Sequence, residues 1–124
     1  MSTVLLVDDE AELLAASRFI LEMKGYRVFC AYGVDQAIAI LEQGEIDLVI
    51  SDYRMPNGNG LEFYCEMKRR LASVPRFILT TGFGGTLAAE AEALGIHVIL
   101  PKPFEISELD VALSQALSSV PMSA

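Results

Sequence analysis

A chain of 124 residues, 52% hydrophobic and 21% charged, has the length and composition of one globular unit around a single core, which sets aside a disordered or multidomain reading. Nine Lys and Arg against 17 Asp and Glu leave a formal net charge of −8, so this domain is not suited to gripping a phosphate backbone, and direct nucleic-acid binding is set aside with it. No apolar run nears the roughly 20 residues that cross a bilayer, and Met1-Ser2-Thr3 carries no basic n-region, so the expectation is a soluble cytosolic protein without membrane contact.

Thr3 to Val7 reads as a first strand that runs into Asp8-Asp9-Glu10. Asp9 and Glu12 have the spacing of a capping box, and Leu13, Ala16, Ile20 and Met23 mark one face of a helix that Gly25 ends. Arg27 to Ala31 is a second strand; Val34, Ala37, Ile38 and Leu41 give a second helix, stopped by Gly44. Asp47 to Ser51 is a third strand, delivering Asp52 to its carboxyl end before a Pro56 to Gly60 turn. Leu61, Tyr64, Met67, Lys68 and Leu71 outline a third helix, whose last turn holds Lys68-Arg69-Arg70 as a solvated basic end. Phe77 to Thr80 or Thr81 is a fourth strand that ends at Gly82-Phe-Gly-Gly85. Leu87, Ala91 and Leu94 mark a fourth helix closed by Gly95, and His97 to Leu100 is a fifth strand with the single histidine at its edge. Ile106, Leu109, Leu113, Ala116, Leu117 and Val120 outline a fifth helix, followed by a frayed tail from Pro121. Cys30 and Cys65 lack metal-ligand spacing and read as free, partly buried thiols.

Five strand and helix pairs in alternation call for a parallel sheet covered on both faces, an α/β doubly wound fold. No linker or repeat remains for a second domain. In such sheets ligands gather at the carboxyl ends of the strands. Here those ends carry Asp8 and Asp9, Asp52, Thr80 or Thr81, and Lys102. A lone strand-end aspartate is most often a turn residue bonding nearby backbone. The set together supplies acidic oxygens for a hard cation, a nucleophilic carboxylate, a hydroxyl donor and a point charge for phosphate.

These pieces, Leu5-Leu-Val-Asp-Asp9, Asp52-Tyr-Arg-Met-Pro-x-x-x-Gly60, Thr80-Thr-Gly-Phe83 and Pro101-Lys-Pro-Phe104, in this order and spacing, resemble a response-regulator receiver domain of bacterial two-component signalling. The resemblance covers residues 3 to about 118. It implies a single receiver domain over 1–124 with a (βα)5, flavodoxin-like fold and strand order 2-1-3-4-5. It further implies that Asp52 accepts a phosphoryl group from a kinase phosphohistidine, as an interaction module rather than a turnover enzyme, with slow autodephosphorylation. Mg²⁺ would be held by Asp9, Asp52 and the Arg54 backbone carbonyl, with Asp8 on a metal water, and Lys102 would draw charge from the phosphoryl oxygens. The Lys102-Pro103 bond is cis in the family. The implied partners are a sensor histidine kinase or a histidine phosphotransfer protein, and a downstream protein or output domain.

Two departures from the family pattern stand out. Counting without gaps from Pro75 and Lys102 selects Thr80 as the switch hydroxyl, whereas the local Thr-Gly-Phe pattern selects Thr81; both stay open, with Thr80 preferred. Three residues before the lysine, where the family often carries Tyr or Phe, this chain has Ile99. The rival readings are a haloacid-dehalogenase-like phosphatase, which resembles Asp-x-Asp after the first strand rather than Asp8-Asp9-Glu10; a flavodoxin-like flavin binder, whose phosphate loop would not be acidic; and a receiver-like scaffold that is never phosphorylated. Glu90, Glu92, Glu105, Glu108 and Asp110 give the face of the fourth helix, fifth strand and fifth helix one sign of charge, so a charge-paired dimer there is not expected and the domain should be a monomer or a weak dimer.

Overall fold

The computed structural model describes residues 2–56, 58–82 and 86–118. Phe83, Val120 and the tail from Pro121 lie outside them. The core elements are strands β1 (Thr3–Val7), β2 (Arg27–Ala31), β3 (Leu48–Asp52), β4 (Arg76–Thr81) and β5 (Val98–Pro101) and helices α1 (Ala11–Met23), α2 (Val34–Leu41), α3 (Gly60–Arg70), α4 (Thr86–Leu94) and α5 (Ile106–Ser118). The five strands form one parallel sheet in the order β2-β1-β3-β4-β5. A separate antiparallel ribbon, Arg54–Met55 against Gly58–Asn59, occupies what the sequence reads as a simple turn. Counted with its two short strands, β4 and β5 are the sixth and seventh strands of the chain.

The strands are near-continuous apolar runs because both faces of the sheet are covered. Every residue of β3 is buried, as are Val4 to Val7 of β1. Strand alternation then sorts the core into two layers. Leu5, Val7, Val49, Phe77 and Leu79 face α2, α3 and α4. Val4, Leu6, Leu48, Ile50, Ile78 and Leu100 face α1 and α5.

Helix α1 departs from its expected face. Leu14 and Leu21 are its buried residues, while Ala16 is exposed and Met23 is 74% exposed. The inward stripe is therefore rotated by about one residue from the Leu13, Ala16, Ile20, Met23 reading, leaving Phe19 on the solvent side at 65% exposure. The capping box expected at Asp9 and Glu12 is absent: the N-cap is Glu10, without a side-chain capping bond. Asp8 Oδ1 instead accepts from the Glu10 N–H at 2.9 Å, an Asx turn that pushes the helix start past Asp9. The helix does end at Gly25, whose φ of +95° belongs to a Schellman closure in which Tyr26 N–H returns to the Leu21 carbonyl at 3.1 Å. The capping box occurs at α3, where Asn59 and Glu62 exchange side-chain to backbone bonds, both at 2.9 Å.

Smaller corrections follow from the same packing. Phe63, not read as core, is fully buried in α3, and Ile106, read as core, is 53% exposed. Cys30 is half-buried, but Cys65 points to solvent from α3; both are free thiols.

Gly60 opens α3 directly against the end of β3. A Cβ there would lie 2.6 Å from Leu79 Cδ1 and 2.8 Å from the carbonyl oxygen of Asp52. The close approach is fixed by Gly60 N–H bonding to the Tyr53 carbonyl at 2.7 Å. Gly60→Ala is expected to lower stability by about 1–3 kcal/mol through overpacking, with an unchanged m-value in urea unfolding. Wild-type stability in that variant would show that the backbone beside Asp52 yields to a methyl group at little cost.

Candidate functional site

Strand register brings the sequence-predicted residues to one edge of the sheet. Asp52 is the last residue of β3 and lies opposite Thr80 of β4; Thr80 in turn lies opposite Leu100 of β5, two residues before Lys102. Asp8 follows β1 directly, held by its N–H to the Ala31 carbonyl at 3.1 Å. Backbone bonds brace the far side: Tyr53 N–H reaches the Thr80 carbonyl at 2.8 Å and Lys102 N–H reaches the Thr81 carbonyl at 2.7 Å. The end of β4 is thus tied both to the residue after Asp52 and to Lys102 itself. The Lys102-Pro103 peptide bond is cis.

The side chains converge on the Lys102 ammonium. Its Nζ lies 3.0 Å from Asp8 Oδ2 and 3.3 Å from Asp52 Oδ2. Both carboxylates are nearly buried, with side chains 9% and 8% exposed, so the contacts are shielded far better than a surface ion pair. One cation shared by two carboxylates leaves the group net negative. The Asp52 carboxyl is pushed above its ordinary value by burial; the charge of Lys102 opposes this, the like charge of Asp8 adds to it, and bonds from Lys102 and the Arg54 backbone N–H oppose it further. Burial alone would lower the Lys102 ammonium, but the bond and charge of Asp8, joined by those of Asp52, outweigh it and hold the lysine above its ordinary value.

Asp9 is exposed at the rim. Carboxylate oxygens of Asp8, Asp9 and Glu10 lie within 4.8 Å of one another. Glu10, which the sequence reading does not assign, thereby joins the acidic edge, and Asp52 is not one of that trio. Arg54 lies in the ribbon, two residues past Asp52, paired in register with Asn59. An all-oxygen donor set around an excess negative charge fits a hard divalent cation and no soft one.

The two threonines separate by face. Thr80 lines a small cavity of about 30 Å³ together with Asp8, Asp52, Lys102 and Ser17, and its hydroxyl donates to the Ser51 carbonyl at 3.4 Å. Thr81, fully buried, falls on the opposite side of the sheet by alternation. His97 is exposed just ahead of β5, away from this cluster. Ile99 is half-buried on β5 and lies opposite Leu79 in the register.

The family described as response regulator receiver domain matches residues 4–114. The chain is 35% identical over 109 residues to the transcriptional regulatory protein CpxR of Klebsiella pneumoniae, covering 88% of this chain and 46% of that protein. It is 32% identical over 122 residues to the sensor histidine kinase AruS of Pseudomonas aeruginosa, covering 95% of this chain and 12% of that one. It thus spans about half the length of the first relative and about an eighth of the second. Among solved structures it is similar to the response regulator TrrA of Thermotoga maritima in complex with Mg²⁺-BeF, with a TM-score of 0.82 and 26% identity over 94% of this chain and 99% of that one.

The raised Asp52 carboxyl makes a signed prediction for the metal-free protein. A group whose folded value lies above its ordinary 3.8 favours the fold fully only below that ordinary value, and the contribution is lost as pH rises through the folded one. At pH 7 the ionised Asp52 therefore weakens the fold. In EDTA, Asp52→Asn should melt a few degrees above the parent, and the gap should narrow as pH is lowered toward 3.8. A variant less stable than the parent at pH 7 would show that the Lys102 contact outweighs burial.

Proposed function

The chain belongs to the response regulator receiver domain family of two-component systems, and from that premise we propose that Asp52 is its phosphoacceptor. The observation that carries the reading is the Lys102 ammonium poised between Asp8 and Asp52 at 3.0 and 3.3 Å, with Thr80 alongside. An Asp52 carboxylate oxygen attacks the phosphorus of a phosphohistidine; the O–P bond forms as the P–N bond breaks, and the departing imidazole nitrogen keeps the electron pair. Lys102 stays beside the oxygens that gain charge, fixed by Asp8 once Asp52 is esterified. The Thr80 hydroxyl turns from the Ser51 carbonyl to the phosphoryl group, and strand alternation supports Thr80 over Thr81 in this part.

Asp8, Asp9, Asp52 and the Arg54 carbonyl would hold Mg²⁺, with Glu10 at the rim of the same cluster. Bound there, the cation would withdraw charge from the phosphoryl oxygens during in-line transfer. The acidic edge and the Mg²⁺-BeF complex of TrrA support this metal. The chain acts as one receiver unit over about residues 3–118, in the cytoplasm, between a sensor histidine kinase or histidine phosphotransfer protein and a downstream protein or output domain. Among the described residues no helix is long and apolar enough to cross a membrane.

Mass spectrometry after acetyl phosphate tests the assignment. The parent should gain one phosphoryl group with Mg²⁺ and none in EDTA, and Asp52→Asn should gain none under either condition. A phosphorylated Asp52→Asn would move the acceptor elsewhere.

The domain is a monomer or weak dimer in this reading. Among the described residues between Arg76 and Lys102 there is no cation, while Glu90 and Glu92 are exposed on α4. Asp110 leaves the expected acidic face, since it pairs with Lys24 of α1. Sedimentation of the beryllofluoride-treated domain at micromolar concentration should give a monomer or an association that salt does not weaken. A tight dimer that loosens as salt is raised would require attractive charge pairs across the interface.

A further inference from the structure

The basic triplet at the end of α3 does not act as a unit. Arg69 pairs with Glu66 at 2.7 Å and Arg70 with Glu42 at 3.5 Å. Lys68 turns to the neighbouring helix: its Nζ donates to the Leu94 carbonyl at 3.0 Å, at the last residue of α4, where the negative end of the helix dipole attracts cations. Tyr64, one turn earlier on α3, donates its hydroxyl to the Gly95 carbonyl at 3.4 Å. The Lys68 ammonium lies over the Tyr64 ring at 5.4 Å from its centroid. The same ring meets Phe77 of β4 edge-on, with centroids 5.0 Å apart. Gly95, at φ +109°, holds a backbone conformation that disfavours a side chain, and a Cβ there would stand 3.1 Å from the tyrosine hydroxyl, a tight contact.

Phe77 and Thr80 belong to one strand, so a continuous chain of contacts runs from the strand beside Asp52 to the far end of α4. Nearer the start of α4, Leu87 and Ala91 are buried in the core layer that also holds Phe77 and Leu79 of β4. The first half of α4 is therefore coupled through the core to the strand that bears Thr80, and its C-terminal end is held by side chains of α3. Ile99 gives β5 no ring with which to couple β4 to α4; on α3, Phe63 and Tyr64 both set their rings against Phe77 of β4, and of the two it is Tyr64 that bonds the end of α4. We propose that Tyr64 and Lys68 are positioning residues that latch the C-terminal end of α4 to α3, so that a displacement of β4 at Thr80 enters α4 at its N-terminal end and the helix turns about the latched end.

Hydrogen exchange read by mass spectrometry on the whole chain tests this with Lys68→Met, which keeps the aliphatic stem over the ring, and Lys68→Arg, which restores the cation. Without any ligand, amides of residues 92–96 should exchange roughly two- to fivefold faster in Lys68→Met, as expected for loss of a cation at a helix C-terminus, while β1 and β4 stay as in the parent and Lys68→Arg recovers parental exchange. Unchanged exchange at 92–96 in Lys68→Met overturns the latch. With Mg²⁺ and beryllofluoride, exchange in the parent should change in the first half of α4 and hold in its last turn, and in Lys68→Met the change should reach Gly95. Equal changes at both ends of α4 in the parent overturn the pivot. This second comparison rests on the phosphoacceptor reading of Asp52, whose failure has a separate signature: no exchange change anywhere in the parent on adding beryllofluoride. The ligand-free comparison decides the latch in either case.

Discussion

The site depends on a shortage of positive charge. A single ammonium at Lys102 is divided between two nearly buried carboxylates, Asp8 and Asp52, and Asp9 and Glu10 add more negative charge at the rim. Two carboxylates left facing each other in so sheltered a place would repel strongly, and full neutralisation would leave nothing to attract a cation. The lysine makes the two carboxylates tolerable to each other without neutralising them both. That residual charge is what a divalent cation can answer. Burial, before any charge, holds the Asp52 carboxyl above its ordinary value; the charge of Lys102 opposes this and the like charge of Asp8 adds to it.

Such a balance needs exact placement, and backbone bonding supplies it. The carbonyls of Thr80 and Thr81 accept from Tyr53 and Lys102 respectively, so β4 splints the residues on either side of it. On the other flank Gly60 lets α3 begin in contact with the Asp52 carbonyl. Thr80 thus contacts β3 twice, through its hydroxyl to the Ser51 carbonyl and through its own carbonyl to the Tyr53 N–H.

Much of this was legible in the sequence because it rests on strand order and end chemistry. Apolar runs ending in Asp8, Asp52 and Lys102 specify a buried parallel sheet with a charged edge, and the sheet has the expected neighbours. What failed depended on single hydrogen bonds. Asp9 and Glu12 have capping-box spacing, but the Asx turn of Asp8 moves the start of α1 to Ala11, while the box that forms links Asn59, in the Pro56 to Gly60 turn, to Glu62 in the first turn of α3. With the start of α1 displaced, its inward stripe was misjudged, and Met23 was counted as core. Thr80 and Thr81 could not be told apart by spacing because they are adjacent. Their separation onto opposite faces comes from the pleat, which a count along the chain does not weigh. Lys68 shows the same limit: beside two arginines it looks like a solvated helix end, and only the approach of α4 gives it a carbonyl to bind.

The distribution of cations carries the argument from the site to the surface. Seven of the nine Lys and Arg have identifiable internal partners: Arg18 with Glu22, Lys24 with Asp110, Arg27 over the Phe29 ring, Lys68 with Leu94, Arg69 with Glu66, Arg70 with Glu42, and Lys102 with Asp8 and Asp52. Arg54 and Arg76 also have contacts within the chain. The positive charge is thus engaged within the chain by carboxylates, carbonyls and a ring, even where the side chain is exposed, as at Arg69, and the formal −8 is displayed chiefly by carboxylates at the surface. Such a surface offers carboxylates to cations that a partner contributes, whereas two copies meeting through their acidic faces would set like charge against like charge.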